Sequence, residues 1–171
     1  AANRPLGEGY VRMVRDLIAA RYPATQVTCI NTGIGSETIR DIAARLEPDV
    51  IAHEPDWVSI GSGVNDAWCH IIQRPGKAVS PEEYRTIYSG VITTVQKRTK
   101  ANVVLIEPFF ISHEQATSPS DRGKMMAMLP TYQKIVAQLA RKYKARFVPL
   151  HRMFAEQLKH QRADKIGRAH V

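Results

Sequence analysis

The 171-residue sequence has only two cysteines and no apolar run approaching the length of a membrane-spanning helix. Its longest apolar runs, such as 103–106 and 109–111, fall far short of the roughly 20 residues that a bilayer requires. Cys29 and Cys69 give neither a disulfide framework nor the spacing of a zinc site, so we interpret both as small buried apolar groups. The sequence therefore predicts one ordinary globular domain with no membrane partner and no metal.

Acidic residues are also outnumbered, and the formal net charge of +8 would suit a nucleic-acid partner. The basic residues are scattered, however, and Asp and Glu stand between them. The densest basic runs, 97–100 and 141–146, fall at predicted helix C-termini, where cations complement the helix dipole. We therefore expect solvated helix ends and no nucleic-acid partner; strongly salt-dependent binding would mark the alternative.

Apolar residues recur at helical spacing in some segments and form short β-branched runs in others. Ser80 and Pro81 form a strong helix start, Ser36 is placed to cap a helix, and Pro130 is placed to kink one. The predicted helices cover 8–22, 36–46, 80–100, 123–144 and a segment from about 151. The predicted strands cover 26–30, 56–61, 102–107 and 147–150, and the longer loops cover 62–79 and 108–122. This alternation predicts an α/β fold with a parallel sheet that is covered on both faces.

Two loops rich in small residues follow predicted strands, at the edge where a parallel α/β sheet binds its ligands. The first runs from Asn31 to Thr38, and its small residues let backbone N–H groups face outward. The second contains Gly63-Val64-Asn65-Asp66, in which Asn65 offers a side-chain amide donor. Donors of this kind stabilise the oxyanion that forms during acyl transfer, with about 3 kcal/mol for each donor.

Gly63-Val64-Asn65-Asp66 resembles the Gly-x-Asn-Asp block of the SGNH (GDSL-like) hydrolases, and the 31–38 loop resembles their second block. The resemblance extends in pattern from roughly residue 7 to residue 162. It implies a three-layer α/β/α flavodoxin-like fold whose parallel sheet lacks its first strand in this chain. It also implies a serine esterase that acts on a small-molecule ester without any cofactor.

By the same resemblance, the Asn65 side chain and the Ser36 backbone N–H are the two donors of the oxyanion hole. Ser36 stands where the family usually has glycine, so the backbone donor remains while the added side chain narrows the site. We expect Gly63, Asp66 and Trp68 to contribute to substrate binding. Trp57 is expected to belong to the core.

The family's other two blocks are not visible. The nucleophile belongs to a Gly-Asp-Ser block that we expect upstream of Ala1, and the base belongs to an Asp-x-x-His block. Asp164 and His170 do not have that spacing. The segment 166–171 matches the translation of a common sequencing adapter, so we expect a partial hydrolase domain over 1–165 followed by a non-native tail. An independent clone of the same locus tests that expectation.

Structural explanations of the same loops stay open. Asn-Asp after glycine also makes an Asx-type turn, and Gly33-Ile34-Gly35 also serves as a tight strand-to-helix connection. A non-catalytic small-molecule-binding module is the alternative function. A dinucleotide-binding fingerprint is a weaker match, because Thr38 replaces its third glycine.

Overall fold

The chain divides into two units, residues 1–34 and residues 35–171. The structure is a computed structural model that describes residues 6, 7, 9–112 and 114–160. The sheet and the candidate site residues all belong to the second unit.

The first unit contains helix α1, Tyr10–Arg21, as predicted. None of its residues is buried, and the apolar side chains of Tyr10, Met13, Val14 and Leu17 are 44% to 69% exposed. The strand predicted at 26–30 is wrong for the described residues, because that segment pairs with no strand of the sheet. Its β-branched composition favours an extended backbone but supplies no neighbouring ladder.

The second unit is built on a parallel sheet of three strands in the order β1, β2, β3. The strands are β1, Trp57–Gly61; β2, Asn102–Ile106; and β3, Arg146–Val148. Val58 lies opposite Val103 and Ile60 opposite Leu105, and Leu105 is in turn opposite Phe147. Three of the predicted strands and their parallel arrangement are thus confirmed.

Helices of the second unit accompany these strands. They are α2, Ile39–Ala44; α3, Leu46–Asp49; α4, Val64–Ile71; α5, Pro81–Arg98; α6, Asp121–Lys142; and α7, Leu150–Gln157, with a 3₁₀ turn at Ile51–His53. Helices α2 and α3 precede β1, α4 to α6 connect the strands, and α7 follows β3. The Ser80 hydroxyl accepts a hydrogen bond from the Glu83 amide, which confirms the predicted start of α5. Helix α6 continues through Pro130. The loop predicted over 62–79 is partly wrong, because α4 occupies its first half.

The basic runs lie where the sequence predicted them. Lys97 and Arg98 occupy the last turn of α5, and Arg141 and Lys142 occupy the last turn of α6. In the described part of the chain, no helix is long and apolar enough to cross a membrane.

The core lies between one face of the sheet and helices α5 and α6. Alternate side chains of β1 and β2 are buried on that face: Val58, Ile60, Val103 and Leu105. On the other face of β1, Trp57 is 53% exposed, and the Arg146 guanidinium lies 4.9 Å from its ring centroid. Trp57 was therefore wrongly predicted as a core residue; the alternation of β1 directs it away from the helices that bury Val58.

The loop before α6 closes tightly on the start of that helix. Ser120 caps α6 by accepting a hydrogen bond from the Gly123 amide at 3.0 Å, and both Ser118 and Ser120 donate to the Glu114 carboxylate. A Cβ atom on Gly123 would overlap the Ser118 carbonyl. Gly90, which is exposed in the middle of α5, has open space around its Cβ position.

Alanine substitutions at these two helical glycines are expected to change the free energy of unfolding in opposite directions. We expect Gly123→Ala to lower the free energy of unfolding by at least about 2 kcal/mol, because the loop must move to admit a methyl group. Gly90→Ala is the matched control and should raise it by about 0.5–1 kcal/mol, because alanine favours the helix. Urea denaturation measures both, and a Gly123→Ala protein as stable as the parent would contradict the described loop.

Candidate active site

The Gly-x-Asn-Asp segment lies at the junction between β1 and α4. Gly63 is the residue before the first turn of α4, with a φ of 126°, and it is buried. A Cβ atom there would lie 2.9 Å from both the Tyr84 hydroxyl and Pro108 Cγ. Both the backbone angle and the neighbouring atoms therefore require glycine at this position.

Asn65 lies in the first turn of α4. Its side-chain Nδ2 donates a hydrogen bond of 3.0 Å to the Glu37 carbonyl oxygen. An asparagine amide has two N–H groups, and this bond uses one of them. The bond brings Asn65 against the loop that contains Ser36, the other predicted donor.

Ser36 is exposed and has a φ of 63°, in the left-handed region that favours glycine. This conformation explains why a related enzyme would place glycine here, and serine keeps the same backbone N–H. The sequence suggested Ser36 as the cap of α2, and this prediction is wrong. Thr38 is the cap: it has an extended backbone, and its amide donates to the Asp41 carboxylate at 2.9 Å in a capping box.

Asp66 joins the two loops. Its side chain is fully buried; Oδ1 accepts from the Ile39 amide at 2.8 Å, and Oδ2 accepts from the Ser62 hydroxyl at 2.9 Å. Burial raises the pKa of Asp66 despite these hydrogen bonds. Because protein donors occupy the carboxylate, the geometry supports a positioning role for Asp66 more strongly than the predicted contact with substrate.

Ion pairs join α2 to α5 and to the segment that precedes α5. The Arg40 guanidinium binds Glu83 of α5 through two hydrogen bonds of 2.6 and 2.7 Å, and Lys77 Nζ lies 2.5 Å from Asp41. Burial favours a higher pKa for Asp41, but hydrogen bonds from Lys77 and Thr38 outweigh it and lower that pKa to about 2. The capping carboxylate at the start of α2 is thus charged at neutral pH.

Trp68 is half-buried on α4 and packs against the core, so part of its surface is structural. Its contact with substrate stays a prediction.

Cys69, the next residue, is buried as predicted, whereas Cys29 in the first unit is only half-buried. Within the described ranges, no group of three His, Cys, Asp or Glu side chains is placed to hold a metal. Asp164, His170 and the segment 166–171 lie outside the described residues.

Sequence reasoning missed helix α4 and the bond from Asp66 to Ile39. A signal for the helix was present, because Val64, Ala67, Trp68 and Ile71 have the spacing of one helical face. No comparable signal marks the Asp66 bond, since its partners lie 27 residues apart in the chain.

Comparison with known proteins identifies the family. The model of the GDSL-like Lipase/Acylhydrolase family matches residues 3–170. The chain belongs to this family. Members are SGNH hydrolases, so the family predicted from the sequence is confirmed. The roles of Asn65 and Ser36 as donors stay predictions.

Individual relatives of the chain support the same family. An acetylxylan esterase from Geobacillus stearothermophilus is 34% identical over 156 residues, which are 90% of this chain and 68% of that protein. The crystal structure of Axe2, an acetylxylan esterase from the same organism, has a TM-score of 0.82 and 33% identity, and the match covers 94% of this chain and 71% of that one.

A third relative is LAE5, an alpha/beta hydrolase enzyme from the metagenome of Lake Arreo, Spain. It has a TM-score of 0.80 and 27% identity, with 91% of this chain and 69% of that one covered. Together the matches show the three-layer α/β/α fold of the SGNH hydrolases and an ester hydrolase function.

The hydrogen bonds from Ile39 and Ser62 to Asp66 predict how substitutions of Asp66 change the free energy of unfolding. Asp66→Ala leaves the buried Ile39 amide and the Ser62 hydroxyl without their acceptor, so we expect a loss of about 2–3 kcal/mol in the free energy of unfolding. Asp66→Asn keeps an acceptor for Ile39 and avoids burying a charge, so its loss should be smaller. Urea denaturation of both variants measures the difference, and equal losses would contradict the bridging role.

Proposed function

We propose that this GDSL-family protein hydrolyses acetyl esters of carbohydrates, with the Asn65 side-chain amide and the Ser36 backbone N–H as its oxyanion hole. The observation that carries the proposal is the 3.0 Å bond from Asn65 Nδ2 to the Glu37 carbonyl, one residue beyond Ser36. It joins the loops of the two donors, and each loop resembles the corresponding block of the family.

The mechanism follows from the charge that develops during acyl transfer. A serine hydroxyl attacks the ester carbonyl while a histidine takes its proton, and the carbonyl oxygen becomes negative. The second N–H of Asn65 and the N–H of Ser36 donate to that oxygen. Collapse of this tetrahedral intermediate releases the alcohol, which takes the proton from histidine. Water then attacks the acyl-enzyme and releases the acid by the same steps.

The 171 residues contain neither Gly-Asp-Ser nor Asp-x-x-His, so we assign the nucleophile and base of this mechanism to no residue of the chain. We therefore expect this chain alone to have no esterase turnover. The donor loops and the bonds that hold them belong to the chain, so its contribution to the whole enzyme is the stabilisation of the oxyanion.

Two observations support an acetyl ester of a carbohydrate as the substrate. A relative that is 34% identical over 90% of this chain is an acetylxylan esterase. Ser36 also adds a side chain at the loop where a related enzyme would have glycine, and we expect it to leave less room for a large acyl group. Release of acetate from acetylated xylan, with p-nitrophenyl octanoate cleaved far more slowly than p-nitrophenyl acetate, would agree with this choice.

The donor assignment predicts the effect of removing the Asn65 amide. In the full-length protein that contains this chain, Asn65→Ala should lower kcat for p-nitrophenyl acetate by about 10²–10³-fold, with a small change in KM. Asn102→Ala, which removes an exposed asparagine at the start of β2, is the matched control and should leave kcat within about twofold.

Equal activity of the Asn65→Ala and parent proteins would overturn the donor assignment. Absence of any Gly-Asp-Ser block from the complete gene, together with no turnover, would instead favour a non-catalytic binding module.

A further inference from the structure

Three buried tyrosines, Tyr84, Tyr88 and Tyr132, form a cluster between α5 and α6, which we call the tyrosine cluster. Each side chain is fully buried, and each hydroxyl donates to a backbone carbonyl. The rings of Tyr84 and Tyr88 meet edge to face with centroids 5.4 Å apart, and those of Tyr84 and Tyr132 with centroids 5.0 Å apart. The Tyr84 ring is therefore held from both helices.

The hydroxyls of the cluster point to different parts of the chain. Tyr88 donates to the Ile60 carbonyl of β1 at 3.1 Å, and Tyr132 donates to the Val79 carbonyl before α5 at 2.6 Å. Tyr84 donates to the Ser62 carbonyl at 2.8 Å. Only the Tyr84 bond thus reaches the junction that leads directly into the Asn65 turn.

The surroundings leave the Ser62 peptide little freedom. Its carbonyl is held by Tyr84, and its side-chain hydroxyl is held by Asp66. The next residue, Gly63, approaches the Tyr84 hydroxyl and Pro108 so closely that a Cβ atom would meet both at 2.9 Å. Burial keeps the pKa of Tyr84 well above its usual value, so the hydroxyl stays protonated as a donor.

We infer that Tyr84 is a positioning residue of the oxyanion hole, setting the orientation of the Asn65 amide through its hydrogen bond to Ser62. The inference rests on the proposed role of Asn65. Without the hydroxyl, the Ser62 carbonyl loses its buried donor, and the peptide before α4 loses one of the contacts that fix its orientation. A donor displaced by a fraction of an ångström stabilises the developing oxyanion less well.

The test compares Tyr84→Phe with Tyr132→Phe in the full-length enzyme. Each change removes one fully buried hydroxyl and one hydrogen bond to a backbone carbonyl, so the two should lower the melting temperature to a similar extent. Tyr84→Phe should also lower kcat for p-nitrophenyl acetate by about tenfold and leave KM within about twofold. Tyr132→Phe should leave both constants within about twofold.

A double variant separates positioning from general destabilisation. If Tyr84 acts through Asn65, Tyr84→Phe should cause no further loss of kcat in an Asn65→Ala background. An additional tenfold loss in that background, or equal kcat values for Tyr84→Phe and Tyr132→Phe, would overturn the inference. An Asn65→Ala variant with full activity would overturn the proposed function instead.

A third variant covers the case in which Tyr84→Phe does not fold. Tyr84→4-aminophenylalanine keeps an N–H donor directed at the Ser62 carbonyl. Folded protein with kcat within about threefold of the parent would support the hydrogen bond as the source of the effect. Folded protein with kcat reduced tenfold or more despite the retained donor would overturn it.

Discussion

The buried Asp66 carboxylate is the interaction on which the candidate site depends. It accepts the Ile39 amide at the start of α2 and the Ser62 hydroxyl at the end of β1, so one side chain fixes two loops that are distant in sequence. Burying a carboxylate has a cost, which is reflected in its raised pKa. The hydrogen bonds from Ile39 and Ser62 offset part of that cost and hold the two segments together.

Other contacts also restrain the segment between β1 and α4. The positive φ of Gly63 turns the chain from β1 into α4 and lets Tyr84 and Pro108 approach the backbone. The bond from Asn65 to Glu37 then ties the first turn of α4 to the loop before α2. These contacts fix the first turn of α4 and the loop before α2 relative to each other, which is the preorganisation that the proposed oxyanion hole requires.

Sequence reasoning succeeded where the requirement was local. Ser80 with Pro81 predicted the start of α5, and the glycine of the Gly-x-Asn-Asp segment marked the end of β1, although the helix α4 that begins there was missed. It failed where the partner is distant. The segment 26–30 has the composition of a strand without a neighbour, and the Tyr84 bond joins residues 22 positions apart.

The most direct test is a crystal structure of the full-length enzyme inhibited by a phosphonate that mimics the tetrahedral intermediate. The account predicts one phosphonyl oxygen within about 3 Å of both Asn65 Nδ2 and the Ser36 backbone nitrogen, with Ser36 still at positive φ. An oxygen bound by other donors, or a Ser36 amide directed away from it, would contradict the assignment of this pair as the oxyanion hole.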